Sequence, residues 1–553
     1  MLPQWSHVSG NESSRKGGGT SGARGARASI GGIASIMPGL ADSHNRFPPH
    51  RSARIPNHDP HGPNHAPKHG VPGHFDLDTV ARRIATKYGF EPAYPDDARR
   101  QLDAISAPAP VPAGTRDLRN LLWSSIDNDS SLDLDQAEVA EQLPGDSIRL
   151  LVAIADVDAL VPGGSPLDAH AHANSTSVYT GVEVFPMLPE KLSTGLTSLN
   201  QNEDRLALVI ETVVDAHGEV TTHDVYRAVI RNQAKLAYDQ VGAWLDGGTA
   251  PPKVTGNAAL QEQLRLQSEA AQRLKSQRLR HGAIELDTIE ATPVAKDGQV
   301  VDLALTQKSK ARDLIEDFMI ASNIAIAVFL ESKGRSGIRR VVREPERWSR
   351  LVDLARQYGT TLPATPDSLA LAQFLSARRA ADPLRFPDLS LTVVKLMGPG
   401  EYALDMPGKD PGMHFGLAVH DYSHATAPNR RYADLITQRL AKAAIAGADA
   451  PYSNDELAAL AAHCTEREDA ANKVERTMRK VAAALLLAHR IGDVFDGIVT
   501  GVSDHGTFAR LFHPPAEGMV VHGQHGLDVG DRVKLRLVHT DPSQGYIDFE
   551  AMR

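Results

Sequence analysis

Ser125-Ile-Asp-Asn-Asp-Ser-Ser-Leu-Asp-Leu-Asp-Gln136 sets four aspartates, Asp127, Asp129, Asp133 and Asp135, within nine residues between two apolar runs. Carboxylates this close raise one another's pKa unless a cation neutralises them, so the stretch calls for a divalent metal. Residues two apart face the same way on an extended backbone but not on a helix. Read as extended, Asp133-Leu134-Asp135 directs two carboxylates to one side and anchors through Leu134 on the other; Asp127 and Asp129 repeat the pattern upstream. Oxygen-only ligands suit Mg²⁺ or Mn²⁺, not zinc. The spacing also imitates a calcium loop, with Asp127, Asp129, Ser131, Asp133, Asp135 and Glu138 at EF-hand ligand positions. Leu132 stands where that loop requires glycine, and Pro144-Gly145 interrupts the helix that should follow. A solvated acidic turn is the remaining alternative.

The chain has 553 residues, enough for several domains, with 41% hydrophobic and 23% charged residues and a net charge of −9. No apolar run is long enough for a membrane span, so a protein with no membrane partner is expected. One cysteine, Cys464, excludes an intramolecular disulfide and a multi-cysteine zinc site. Residues 1–75 hold eight Lys/Arg against three Asp/Glu, so the rest of the chain is the more acidic part. Nucleic acid, if bound, must therefore be met in a local channel and not over a basic surface.

Residues 1–75 are rich in Gly, Ser, Arg, Pro and His without apolar periodicity, and disorder is expected there. A targeting peptide or a true start at Met37 are alternatives for its first part. Residues 76–115 read as two short helices, through Tyr88 and from Asp96 to Ile105, followed by a Pro-rich linker. Strands are expected at 121–126, 148–157, 205–214 and 220–230, the last two joined through Ala-His-Gly-Glu. Helices are expected at 261–279, 311–330 and 433–446, and Ser453-x-x-Glu456 is a capping box opening a long helix to about Arg490. Within it Asp469/Lys473 and Glu475/Arg479 have the i,i+4 spacing of helix ion pairs. Five short strands between 497 and 550 suit an OB-type barrel. Phe508, Arg510 and Phe512 alternate along one of them, which predicts two stacking rings with a cation between.

Matching segments now accumulate in order: Ile154-Ala-Asp-Val157, Ser165-Pro-Leu-Asp168, Ser177-Val-Tyr179, Pro186-Met-Leu-Pro189, Lys235-Leu-Ala-Tyr238, Leu314-Ile-Glu-Asp317, His414-Phe-Gly-Leu417 and Tyr422-Ser-His-Ala-Thr-Ala-Pro-Asn-Arg-Arg-Tyr-Ala-Asp434. Together they resemble the RNB catalytic domain of the ribonuclease II family of 3′-to-5′ exoribonucleases. The resemblance implies an α+β fold: an RNB domain of mixed antiparallel sheets with packed helices over 116–490, then an OB-type RNA-binding barrel over 491–553.

In that family the acidic motif ends in two adjacent aspartates; here it reads Asp127, Asp133, Asp135 and then Gln136. The resemblance implies that these four positions hold Mg²⁺, with Mn²⁺ as an alternative, at the scissile phosphate, and that Arg430 clamps that phosphate. An ion pair of Arg430 with Asp434 is the structural alternative, although Arg431 is the better partner for that acid. Tyr179 would stack on the 3′-terminal base, Tyr238 would contact RNA nearer the metal, and Glu316 would meet a terminal ribose, with Asp317 as the alternative register. Leu286 stands where an opposing aromatic of the base clamp belongs. The ~40 residues of 76–115 are too few for the two small barrels that commonly precede this domain. The resulting expectation is a cytoplasmic, monomeric hydrolase that degrades single-stranded RNA from the 3′ end to 5′-mononucleotides. A catalytically inactive RNA-binding protein is the alternative that Gln136 and Leu286 motivate.

Overall fold

Two helices lead into the acidic stretch in the computed structural model, which describes residues 76–287, 291–296, 299–305, 308–503 and 506–552. The expected disordered tail, residues 1–75, lies outside these. α1 (Leu77–Lys87) starts where the Asp76 carboxylate accepts the N–H groups of Asp78 and Thr79, and it buries Leu77, Ala81 and Ile84. α2 (Asp96–Ala104) buries only Ala98.

The main sheet follows. β1 (Arg116–Asp117), β2 (Trp123–Asp127), β3 (Gln136–Leu143) and β4 (Ser147–Ala155) are succeeded by α3 (Pro166–Asn174) and a small hairpin of β5 (Val178–Tyr179) and β6 (Val184–Phe185). β7 (Asp204–Val214) and β8 (Val220–Ala237) complete an order of β1-β8-β2-β3-β4-β7. β8 pairs antiparallel with β7 through Arg231 and then parallel with β2 from Asn232 to Ala237, so the ladder returns upon itself. The acidic stretch is thus a strand-to-strand connection from β2 into β3, which removes the calcium-loop reading: no helix exits, and Leu132 is exposed.

β3 was not among the expected strands. Its sequence, Gln-Ala-Glu-Val-Ala-Glu-Gln-Leu, is poor in β-branched and aromatic residues, and its pairing with β4 along the whole length overrides that propensity. Gly145 and Asp146, both with positive φ, turn it sharply into β4.

α4 (Tyr238–Leu245) continues directly from β8, and α5 (Ala258–Arg280) covers the free part of the β3 edge. There the Gln263 amide accepts the Ala140 N–H at 2.9 Å and donates to its carbonyl, so the edge groups are satisfied. A hairpin of β9 (Ala291–Lys296) and β10 (Gln299–Leu305) precedes α6 (Lys310–Ser332), whose apolar face enters the main core with Trp123, Ile126, Leu134 and Ile154. β11 (Gly337–Val341) and β12 (Glu401–Asp405) pair with each other and place Ile338 and Tyr402 in the main core, while α7 (Trp348–Gln357), α8 (Ser368–Ala381) and α9 (Phe386–Met397) between them build a separate apolar cluster. α10 (Tyr432–Ala446) crosses the main core, and α11 (Asn454–Leu487) opens with the expected reciprocal Ser453/Glu456 cap. Val474, Met478 and Val481 of α11 pack on the buried face of α1.

β13 (Val494–Ser503), β14 (Gly506–Leu511), β15 (Glu517–His522), β16 (Arg532–Asp541) and β17 (Tyr546–Met552) close a barrel in the order β13-β14-β15-β17-β16. Ala484 and Leu487 of α11 join its core beside Phe495, Leu535 and Phe549. No described helix is long and apolar enough to cross a membrane.

Candidate active site

Asp127 ends β2, and its carboxylate closes a local turn by accepting from the Asn128 N–H at 2.6 Å and the Ser131 hydroxyl at 2.8 Å. The turn exposes Asp129, which leaves the site. Lys235 of β8 holds the loop from beneath, its ammonium donating to the carbonyls of Asp129 and Ser131. Leu134 is buried as the anchor, so Asp133 and Asp135 emerge on the opposite side.

Asp135 is buried, and the Asn429 N–H donates to its Oδ1 at 3.0 Å while Arg430 Nε stands 3.7 Å from Oδ2. That loop is fixed from several directions. Asn429 is fully buried and accepts from the Thr197 hydroxyl, Ser177 N–H donates to the Arg430 carbonyl, and Ala427 N–H donates to Asp434. Arg431, not Arg430, forms the two-pronged pair with the buried Asp434, at 2.8 and 2.7 Å. Arg430 keeps 46% of its side chain exposed and is free to meet an incoming anion.

Burial pushes the Asp135 carboxyl up to about 7, against the opposing pull of Arg430 and the Asn429 N–H. Burial also raises Asp133; Arg430 opposes the shift and the charge of Asp127 adds to it. The Tyr179 hydroxyl donates to Asp133 Oδ2 at 3.4 Å, its N–H donates to Glu475 of α11, and its ring is 42% exposed. Tyr238 opens α4 beneath the guanidinium of Arg312, 4.5 Å from the ring centroid. Burial raises its hydroxyl, and so do the charges of Asp127 and Glu138.

Glu316 is half-buried on α6 and makes no hydrogen bond among the described residues, whereas Asp317 is buried in an ion pair with Arg278. Of the two registers, Glu316 is the one left available. Asn323, seven residues and so about two turns further along α6, is structural: its amide accepts the Ala425 N–H and donates to the Tyr422 hydroxyl. Leu286 is 9% exposed and packs with Ile284, Trp348 and Phe415, so little of it is left for a base. The expected ring-cation-ring face on the barrel is corrected. Arg510 is withdrawn into an ion pair with Asp388 of α9 at 2.7 Å, and Phe512, beyond the end of β14, lies instead under Arg532. Phe508 remains half-buried on β14.

The donors at the acidic loop are all oxygen, which fits a hard divalent cation. Among the described residues no three His, Cys, Asp or Glu side chains converge closely enough to hold an ion by themselves. That is compatible with Mg²⁺, which keeps several waters and takes substrate phosphate oxygens on one or two carboxylates. Gln136 opens β3 and is buried. Reading the sequence gave no role to Lys235, Arg312 or the backbone of Asn429. Lys235 and Asn429 lie within quoted motifs and Arg312 just before one, but only the fold brings them to the acids.

Fold and site together define an RNB-type catalytic domain followed by an S1-type barrel. Residues 115–447 match the RNB domain model, and residues 493–552 match the RNase II-type exonuclease C-terminal S1 domain. The chain belongs to the RNB family. It is 30% identical over 502 residues to ribonuclease R of Aquifex aeolicus, covering 84% of this chain and 69% of that protein. It is 29% identical over 492 residues to ribonuclease R 1 of Lactococcus lactis, covering 83% of this chain but only 59% of the relative's length. A solved structure of Mycoplasma genitalium RNase R with ribose-methylated single-stranded RNA shares the fold, with a TM-score of 0.79 and 24% identity, covering 86% of this chain and 78% of the other.

Proposed function

We propose that the chain is a Mg²⁺-dependent exoribonuclease that hydrolyses single-stranded RNA from its 3′ end to 5′-mononucleotides, acting as a cytoplasmic monomer. The observation that carries this reading is the facing pair of a buried Asp135, oriented by the Asn429 N–H, and a half-exposed Arg430 whose Nε stands 3.7 Å from it. Relatives named ribonuclease R support the direction and the substrate.

Each side chain then has a task its position suits. The Arg430 fork takes two phosphate oxygens and stabilises the charge that grows on phosphorus. The exposed Tyr179 ring receives the terminal base, and its hydroxyl ties that base to Asp133. Arg312 holds the Tyr238 ring against the same strand. Glu316 accepts a ribose hydroxyl, the group that separates RNA from DNA. Asp127, Asp133 and Asp135, with the Gln136 amide oxygen, would hold Mg²⁺, which when bound polarises the phosphate and neutralises its charge. Phe508 and the exposed Phe512 on the barrel give incoming RNA stacking surfaces, with Arg532 as the neighbouring cation.

Incubation of single-stranded RNA with Mg²⁺ and chromatography of the products tests the proposal. Release of 5′-mononucleotides that stops when the 3′ end is blocked is expected. Tight binding without release would favour the inactive RNA-binding protein, the reading that Gln136 supports.

A further inference from the structure

Arg312 lies in the first turn of α6, four residues before Glu316 and so on the same face of the helix. Its guanidinium reaches two other parts of the site. Nη2 donates to the Asn128 side-chain oxygen of the acidic loop at 3.1 Å, and the guanidinium carbon stands 4.5 Å from the centroid of the Tyr238 ring. Burial raises the Tyr238 hydroxyl and the charges of Asp127 and Glu138 add to the shift, while the charges of Arg312 and Arg430 oppose it. Arg312 therefore acts at the same point of the site as the phosphate clamp.

A guanidinium carries five N–H donors in a fixed fork, and few of those on Arg312 are used. One on Nη2 goes to Asn128, Nε is buried without a partner, and Nη1 has no acceptor among the described residues. Asp239 lies 3.7 Å from Nη2, but its side chain is 91% exposed, so the pair is loose and costs little to exchange. Lys308 and Lys310, which flank the start of α6, are committed to Asp287 and Asp246 at 2.7 and 2.8 Å. Arg312 itself keeps 25% of its side chain exposed. A guanidinium over a ring closes that face to a base, so what the Arg312–Tyr238 pair offers a strand on that side is a cation.

We propose that Arg312 binds a second phosphate of the RNA strand, upstream of the one that Arg430 meets, with Tyr238 as the platform that holds its guanidinium in place. This contact rests on the nuclease reading above and deepens it. In a strand with a free 3′ hydroxyl the scissile phosphate is the last one, so any second phosphate lies upstream. A charged N–H donor takes a phosphodiester oxygen strongly and reads no base. The bond to Asn128 ties the same fork to the acidic loop, so the side chain that grips the strand also keeps it in register with the carboxylates. A chain without a basic surface can hold RNA through a few such points close to the cut.

Fluorescence anisotropy of 5′-labelled oligoadenylate and oligouridylate, titrated with the full chain over a series of KCl concentrations, tests the contact. The D135N background preserves the RNA, and circular dichroism reports the fold. R312Q is expected to make the plot of log Kobs against log[salt] shallower by about 0.7, the share of one phosphate on a single strand, and to weaken both oligonucleotides by the same factor. R312K and N128A, which keep the cation, are expected to keep the parent slope. Should R312Q fail to fold, R312H carries the charge below its pKa of about 6.5 and loses it above. Its slope is then expected to be steeper at low pH by more than the parent's, and equal changes in the two contradict the proposal. A folded R312Q with the parent slope overturns the phosphate contact and leaves the nuclease reading standing, and so does a loss confined to one oligonucleotide, which marks a base contact. A parent that does not bind RNA, with wild type that does not cut it, overturns both.

Discussion

Arg430 and Arg431 are neighbours in sequence with opposite surroundings. Arg431 forms a two-pronged pair with a fully buried Asp434, and Arg430 faces Asp135 across 3.7 Å with nearly half its side chain in solvent. R431A leaves a buried carboxylate unpaired and is expected to lower unfolding free energy by ~3–5 kcal/mol in denaturant titration. R430A is expected to leave stability nearly unchanged and to reduce kcat by about 10²–10³-fold, the scale of a lost transition-state donor. Equal stability losses in both would contradict the division of roles. Asp135 makes a pH prediction. Without a divalent cation its folded pKa is about 7, whereas an unfolded aspartate titrates near ~4, so between these values the native state binds the extra proton. This contribution is therefore present in full below about pH 4 and is lost as pH rises through about 7. Metal-free wild type should lose Tm across that interval more steeply than D135N, and saturating Mg²⁺ should flatten the difference. The spacing around Asp434 already marked Arg431 as its better partner. What spacing could not show was the buried loop that leaves Arg430 half-exposed beside Asp135, or that Glu138 is fully buried.

The elements read from periodicity are those whose apolar pattern is strong. α6, α10 and α11 lie close to their expected spans, the Ser453/Glu456 box opens α11, and the β7–β8 hairpin turns where Ala-His-Gly-Glu predicts. That turn has a precise steric demand. Gly218 has φ +85°, and a Cβ there would lie 2.1 Å from the Arg273 carbonyl of α5. G218A should therefore destabilise the fold by about 2 kcal/mol or more, seen as a lower Tm, and a Tm equal to wild type would refute the packing of hairpin on helix. β3 was hidden because strand pairing outweighed an Ala- and Glu-rich sequence. Pairing of this kind joins residues far apart in the chain and leaves no local signal. Glu475, whose spacing on the helix predicts a pair with Arg479, accepts the Tyr179 N–H and so ties α11 to the site.

At the scale of the whole molecule, the two matched domains are joined at two places. The C-terminal barrel is joined to the catalytic domain by α11, which contributes to its core, and by the Arg510–Asp388 pair, both partners of which are largely buried. The barrel strands were visible as short runs between Gly and Asp turns; the ion pair was not, because alternation along β14 reads the same for a docking arginine and an RNA-facing one. D388N should loosen the joint, seen as faster trypsin cleavage near residues 488–493, and an unchanged cleavage rate would show that α11 alone holds the barrel.

The central claim is that the acidic loop and Arg430 form a working 3′-to-5′ exonuclease centre despite Gln136. Single-stranded RNA labelled at its 5′ end, incubated with Mg²⁺ and either wild type or D135N, tests it most directly. Wild type should produce a ladder that shortens from the 3′ end, and folded D135N should bind the RNA and leave it intact. Intact RNA under saturating wild type, or equal shortening by D135N, would contradict the account.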